Sequence, residues 1–292
     1  MSQIKLTIPA TSANLGLGFD SMGVAVDKFL TIEAVENEAS GWEFTFQDEQ
    51  LQSLPGNDSN LVAQTARQVA EKYGAVMPDL KVTMASNIPL AHGLGSSSSA
   101  IIAGLKLADA YCGLNLSDEE KIYTGTEIEG HPDNIGPCLT GGVFVGYYNE
   151  GDLAYKTLTL DGISLIVSIP DYEISTEEVR DSLPEAYSAA EAVMQNAKNN
   201  VMLLAMVEKD YETMGRLMMQ DHFHEPYRGP LIQEFGPIKG AALAEGAYAT
   251  VISGAGPTLL TLCPEDKADA ILEAVSQIGS CQHEKVNVYY KN

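Results

Sequence analysis

The segment Pro89-Leu90-Ala91-His92-Gly93-Leu94-Gly95 runs into Ser96-Ser97-Ser98-Ser99 and then, without a break, into a periodic helix. Ile101, Leu105, Ala108 and Cys112 fall at i, i+4, i+7 and i+11, a helical stripe that Gly113 stops. Ahead of the loop, residues 80–84 (LKVTM) read as a strand. A Gly/Ser linker belongs between independent domains. Between a strand and a helix of one folding unit, the same composition is a turn. In a plain turn the glycines supply positive φ and the serines cap the helix. Two glycines, four hydroxyls and an open helix N-terminus also make a cradle for phosphate, because the first N–H groups of a helix point at anions.

The cradle is neither a Walker A loop, since no Gly-Lys-Ser/Thr follows, nor a dinucleotide fingerprint, since the third glycine is missing. A helix terminus alone contributes about 0.3–2 kcal/mol toward an anion, too little for a triphosphate. Hydroxyl ligands, Mg²⁺ and a carboxylate to hold the metal are therefore expected beside it. The chain carries 17 Lys plus Arg against 40 Asp plus Glu, a net charge of −23. Such a surface repels nucleic acid and anionic lipid, so neither is an expected partner. Cys112, Cys138, Cys263 and Cys281 stand far apart with no CxxC pair, which suits a reducing compartment. No apolar run resembles a signal peptide or a membrane span, so the expected location is the cytoplasm.

Along the chain, strands are predicted at 3–8 (ended by Pro9), 24–35, 42–46, 142–148, 163–169, 248–252, 259–262 and near 285–290. Helices are predicted from about 61, from the Ser117-Asp118-Glu119-Glu120 capping box, around 176–182, over 185–219 and over 266–278. The polar segment 149–161 is the candidate domain boundary. This alternation argues α+β in two layered halves with mixed sheets. Six of the ten methionines lie within 194–219, a pattern that fits helix packing better than a binding surface.

PLAHGLGSSSSA resembles the central Pro-x-x-x-Gly-Leu-Gly-Ser-Ser motif of the GHMP kinase superfamily, which includes galactokinase, homoserine kinase, mevalonate kinase and phosphomevalonate kinase. PATSANLGLGFDSMG at 9–23 resembles the superfamily's first motif and SGAGPT at 253–258 its third. EGHPDN at 129–134 and DHFHEPYR at 221–228 are similar to the homoserine kinase members. The resemblance implies a ribosomal protein S5 domain 2-like half with a left-handed crossover over 1–157, which binds ATP, and a ferredoxin-like half over 158–292. It implies ATP, Mg²⁺ and L-homoserine as reactants and metal, O-phospho-L-homoserine as product, and a homodimer as a possible state. The alternatives are another small-molecule kinase of the superfamily and a silent nucleotide- or metabolite-binding regulator on the same fold.

Homoserine carries a carboxylate, an ammonium and a hydroxyl. A planar, bidentate cation suits the first, and Arg180 and Arg228 are the candidates, with Thr176 one turn before Arg180. By carry-over, Asn14, Asp20, His131 and Asn134 face the substrate, although Asn14 serves equally well as a turn residue. Asp20 and Asn134 are the catalytic candidates. Several superfamily members place a proton-accepting Asp where this chain has Asn134, so a shared base mechanism is in question and positioning could suffice. The family's metal carboxylate precedes the HPDN motif. Glu127 and Glu129 both qualify but cannot share a helical face; Glu127 is favoured, with Ser96 as a hydroxyl ligand and Glu129 as the alternate.

Overall fold

The computed structural model describes residues 3–174, 179 and 181–291. Thr176 and Arg180, and most of the helix predicted at 176–182, lie outside the described residues.

The first sheet contains six strands. Strand β2 (Met22–Glu36) is its spine. It pairs antiparallel along its length with β1 (Ile4–Ala13). On its other side it pairs with β4 (Leu80–Ser86) through residues 30–36 and with β5 (Val143–Asn149) through residues 22–24. Strand β3 (Glu43–Phe46) runs parallel to β4, and α1 (Leu61–Lys72) makes the crossover that a parallel pair requires. Pro9 does not end β1. The strand shifts register between Pro9 and Ala10 and continues to Ala13, because β1 is an edge strand where a missing N–H leaves no ladder partner unsatisfied.

The polar segment 149–161 carries a strand. Strand β6 (Asp152–Leu158) occupies most of it, paired with β5 through a hairpin at Gly151. Its alternating exposed and half-buried residues mark an edge strand with one face in water, so polarity there signals an edge.

Helix α2 (Ser96–Cys112) is the buried centre of this half, apolar on every side over residues 100–105. Gly104 lets α1 come close; a Cβ there would lie 2.5 Å from the Val62 carbonyl oxygen. Helix α3 (Asp118–Glu129) opens on the predicted Ser117/Glu120 capping box, and Gly130 turns the chain straight into α4 (Pro132–Thr140). Pro132 occupies the first turn of α4, where its fixed φ is pre-set for a helix and its missing N–H costs nothing.

The second sheet is antiparallel, in the order β10 (Cys281–Val286), β7 (Ile163–Pro170), β9 (Leu259–Pro264) and β8 (Ala249–Ile252). Both of its faces are covered, and β7 is buried along its whole length, Ser164 and Ser168 included. Leu165, Val167, Val251 and Leu260 join the main core, which includes Met202, Met206, Met214 and Met218. Those methionines lie on α5 (Ala189–Glu208) and α6 (Tyr211–Met218), so four of the six clustered methionines are buried in the core, and Met219 packs against it half-buried. The alternate positions Ile166, Ile252 and Cys263 face a second cluster with Ile238 and Ile271, on α8 (Phe235–Ala244) and α9 (Ala268–Val275). A one-turn helix, α7 (Glu225–Arg228), lies between α6 and α8. The strand predicted near 285–290 is divided: β10 ends at Val286, and Val288 and Tyr290 then bridge to Val26 and Gly141, tying the last described residues to the first half. Among the described residues, no helix is long and apolar enough to cross a membrane.

Candidate active site

Three loops meet at the start of α2. Thr11 N–H donates to the Leu94 carbonyl at 3.2 Å, Gly254 N–H to Ala13 at 3.2 Å and Thr258 N–H to His92 at 3.3 Å. Ser253 Oγ–H donates to the Gly93 carbonyl at 2.7 Å. The first, central and third motifs are thus held together largely by backbone. This closeness is why glycine is required. A Cβ on Gly95 (φ +69°) would lie 2.1 Å from Thr11 Oγ1, and one on Gly93 (φ +77°) 2.3 Å from the Ser253 carbonyl oxygen.

The serines do not cap α2. Gly95 is its N-cap in a left-handed conformation with no side-chain cap bond, and Ser96 to Ser99 form the first turn. The first amides of α2 therefore open onto a cleft lined by Ala91, Gly93, Gly95, Ser96, Ser97 and Ser98 from this loop and by Gly254, Ala255 and Gly256 from the third motif. Of the other expected loop residues, Pro89, Leu90, His92, Leu94 and Ser99 do not line the cleft. Leu94 is a buried anchor, His92 Nδ1 lies 2.5 Å from the Leu90 carbonyl, and Ser99 Oγ–H donates to Ser96.

The α3–α4 corner supplies the opposite wall with Glu129, His131, Asp133 and Asn134. Here one expectation is corrected. Glu127 points away from the cleft and forms an ion pair with Lys72. Glu129, two residues on and therefore on another face of α3, lines the cleft and accepts a hydrogen bond from Ser98 Oγ at 2.8 Å. That pair of hard oxygen donors beside an open helix terminus has the chemistry that Mg²⁺ takes.

A second group, Asp20, His131 and Asp133, brings its ligand atoms within 4.8 Å of one another. Burial pushes the His131 imidazole down, but its 2.5 Å hydrogen bond to Asp133 and the charges of Asp133, Asp20 and Glu129 outweigh that and lift its pKa to about 9. A protonated ring is a hydrogen-bond donor. Asp133, between His131 and Asn134, is buried in the first turn of α4 and lines the cleft as well, outside the expected set. A carboxyl flanked by two expected site residues was the available signal. Asn134 Oδ1 accepts a 2.6 Å bond from Thr11 Oγ1, which fixes the amide; Thr11 carried no sequence signal of its own.

Asn14 has positive φ and serves the scaffold. Its Oδ1 accepts from Asp20 N–H at 3.1 Å and its Nδ2 donates to the Gly254 carbonyl at 2.9 Å. Both Asn14 and Asp20 line the cleft. Arg228 enters from the second half. Its Nη1–H donates to the same Gly254 carbonyl at 2.9 Å, and its guanidinium lies 5.2 Å from the Phe19 ring centroid. Asp221 organises the segment that carries it. The Asp221 carboxylate accepts from Phe223, His224 and Glu225 N–H at 3.1, 2.8 and 2.8 Å and from Gln195 Nε2 at 2.6 Å.

The first amides of α2, a carboxylate–hydroxyl pair and an arginine thus share one cleft. Known proteins carry the same framework. The GHMP kinases N terminal domain matches residues 60–142 and the GHMP kinases C terminal domain matches residues 202–281. The chain belongs to the GHMP kinase family. A homoserine kinase of Staphylococcus aureus (strain MSSA476) is 43% identical over 288 residues, covering 98% of this chain and 95% of that one. A homoserine kinase of Staphylococcus haemolyticus is 44% identical over 289 residues, with the same coverage. The crystal structure of a homoserine kinase from Cytophaga hutchinsonii superposes with a TM-score of 0.87 at 27% identity, covering 100% of this chain and 96% of that one. The Methanococcus jannaschii mevalonate kinase structure covers 99% of both chains with a TM-score of 0.75, but at 16% identity it shows the shared fold alone.

Proposed function

We propose that this cleft transfers the γ-phosphoryl group of ATP to the hydroxyl of L-homoserine, giving ADP and O-phospho-L-homoserine on the route to threonine. The observation that carries the reading is Arg228: a buried guanidinium reaching the same cleft as the open amides of α2. An arginine fork answers an α-carboxylate, which a neutral sugar lacks. Homoserine kinases similar over nearly the full chain support the same substrate.

In this reading the amides of Ser96 to Ser98 hold the phosphate tail, and Glu129 with Ser98 would hold Mg²⁺. When bound, the ion neutralises charge on the phosphates. Arg228 takes the substrate carboxylate. Asp20 accepts a hydrogen bond from the substrate hydroxyl and aims its oxygen at the phosphoryl group. Asn134, its amide fixed by Thr11, donates to the substrate and removes no proton. With a loose transition state, alignment and charge neutralisation supply most of the barrier reduction. Thr176 and Arg180 remain proposed contacts on the substrate side. A two-domain division near residue 157 is proposed with them, as is a cytoplasmic location, where ATP is available and the four free thiols stay reduced.

The test is to follow ADP release with ATP and Mg²⁺ across L-homoserine, L-serine, mevalonate and galactose. Turnover dependent on homoserine is expected. A different preferred acceptor would replace the substrate assignment, and nucleotide binding without turnover would make the protein a regulator. Asp20→Asn should lower kcat by about 10²–10⁴; near-normal kcat and KM would remove Asp20 from its role.

A further inference from the structure

The first-motif loop is packed onto the second half of the molecule. A Cβ on Gly16 would lie 2.1 Å from the carbonyl oxygen of Met218, at the end of α6, so the two backbones touch there. The Gly16 carbonyl lies 3.0 Å from His224 Nε2, and the Leu17 carbonyl accepts from Gln195 Nε2 at 3.2 Å. Phe19 follows two residues later, half-buried. Its ring meets two side chains of the α7 segment. The His224 ring stacks with it, 5.2 Å between centroids and 17° between planes. The Arg228 guanidinium carbon lies over the ring, 5.2 Å from its centroid. His224 is the N-cap of α7 and Arg228 its last residue. Four positions apart, they share one face of a helical turn, which Arg228 N–H closes by donating to the His224 carbonyl at 2.9 Å.

The consequence follows from what a fork requires. A guanidinium answers a carboxylate only when its plane and direction are set beforehand. The 2.9 Å bond from Arg228 Nη1 to the Gly254 carbonyl places one nitrogen. A ring beneath a flat cation sets the tilt of its plane. The brace behind that ring is rigid. His224 is fully buried, and its N–H donates to the Asp221 carboxylate at 2.8 Å. Burial also pushes the His224 imidazole well below its usual range, so near neutral pH an uncharged ring backs Phe19 and adds no second positive charge beside Arg228. Asp20 comes next in the chain. Its backbone has a φ of 55° and its N–H donates to Asn14 Oδ1 at 3.1 Å. One short loop thus lays a ring against α7 and brings a carboxylate to the cleft that Arg228 also lines.

We infer that Phe19 is a positioning residue for the substrate carboxylate: braced by His224, its ring fixes the tilt of the Arg228 guanidinium. This assignment rests on the homoserine reading above. The test is steady-state kinetics on the full chain. Phe19→Leu keeps apolar volume but removes the ring face. It should raise KM for homoserine about tenfold, leave KM for ATP unchanged and keep kcat within about threefold. Phe19→Tyr, which puts the face back, should return the homoserine KM to the wild-type value. A double-mutant cycle separates positioning from packing. With the ring acting through the guanidinium, Phe19→Leu/Arg228→Lys should show about the thirtyfold rise in homoserine KM expected of Arg228→Lys alone, not the roughly three-hundredfold product of independent effects. Should Phe19→Leu fail to fold, as circular dichroism would show, Phe19→Met takes its place in the same cycle. A wild-type homoserine KM in the ring-free variant, equal rises in both KM values, a Phe19→Tyr enzyme no better than Phe19→Leu, or a multiplicative double variant each overturns the assignment alone. A wild-type protein that neither binds nor phosphorylates homoserine overturns it together with the substrate reading.

Discussion

The two ends of the cleft are built by different means. At the β4–α2 corner the contacts are backbone: amides, left-handed glycines and carbonyls clasped between three loops. At the α7 end the contact is one long side chain, Arg228, steadied by a buried polar network of Asp221, Gln195, His224 and Glu225. The first kind of site tolerates no added atom but is indifferent to protonation. The second tolerates an isosteric swap but depends on charge. For a chain of net charge −23 the division is sensible. In the proposed reading phosphate is met by fixed dipoles together with a metal ion, and the scarce positive side-chain charge is left for the carboxylate, which needs a directional fork.

The contrast can be broken by substitution. The largest effect is expected for Gly95→Ala, whose Cβ would press on Thr11 at a positive φ; ATP-dependent turnover should fall about a thousandfold. A variant with normal turnover would mean that the corner is not a backbone cradle. Next, Glu129→Gln should lower kcat by about a hundredfold and raise the Mg²⁺ concentration for half-maximal rate, whereas Glu127→Gln should stay within about twofold. Equal losses would cancel the distinction between the two faces of α3. At the other end, Arg228→Lys should raise KM for homoserine about thirtyfold and leave KM for ATP within about twofold, because an ammonium cannot fork. Equal increases would point to a folding defect.

The smallest effect concerns charge at the α7 end and is read as stability. Burial pushes the Glu225 carboxyl up to about 8, against the pull of its hydrogen bond from Ile252 N–H. Between its ordinary 4.5 and about 8 the folded chain holds a proton that the unfolded chain has released. This contribution is full below pH 4.5 and is lost as pH rises toward 8. Glu225→Gln, which can still accept from Ile252, should flatten the fall in Tm between pH 5 and pH 8 by a few °C, on the order expected for about 1 kcal/mol. His224 works in the opposite sense. Burial pushes it down to about 4, with the Asp221 charge pulling the other way, so its contribution is present above pH 6.5 and is lost as pH falls toward 4. An unchanged Tm profile in Glu225→Gln would remove the protonation dependence claimed for this end.

The sequence by itself determined most of the β4–α2 corner. Gly93, Gly95 and the serines stand between a strand and a periodic helix, and local backbone chemistry leaves such a segment few conformations. The capping box at Ser117, strand β7 and the methionine-rich packing helices were legible for the same reason. Tertiary structure alone decided which glutamate faces the cleft. Glu127 and Glu129 differ by two positions on one helix, and only the approach of α1 with Lys72 on one side and of Ser98 on the other separates them. It also turned the polar segment at 152–158 into an edge strand, carried β1 past Pro9 and made Asn14 a brace between the first and third motifs. Each of these depends on partners far away in the chain, and a local pattern records what a residue prefers but not what is packed against it.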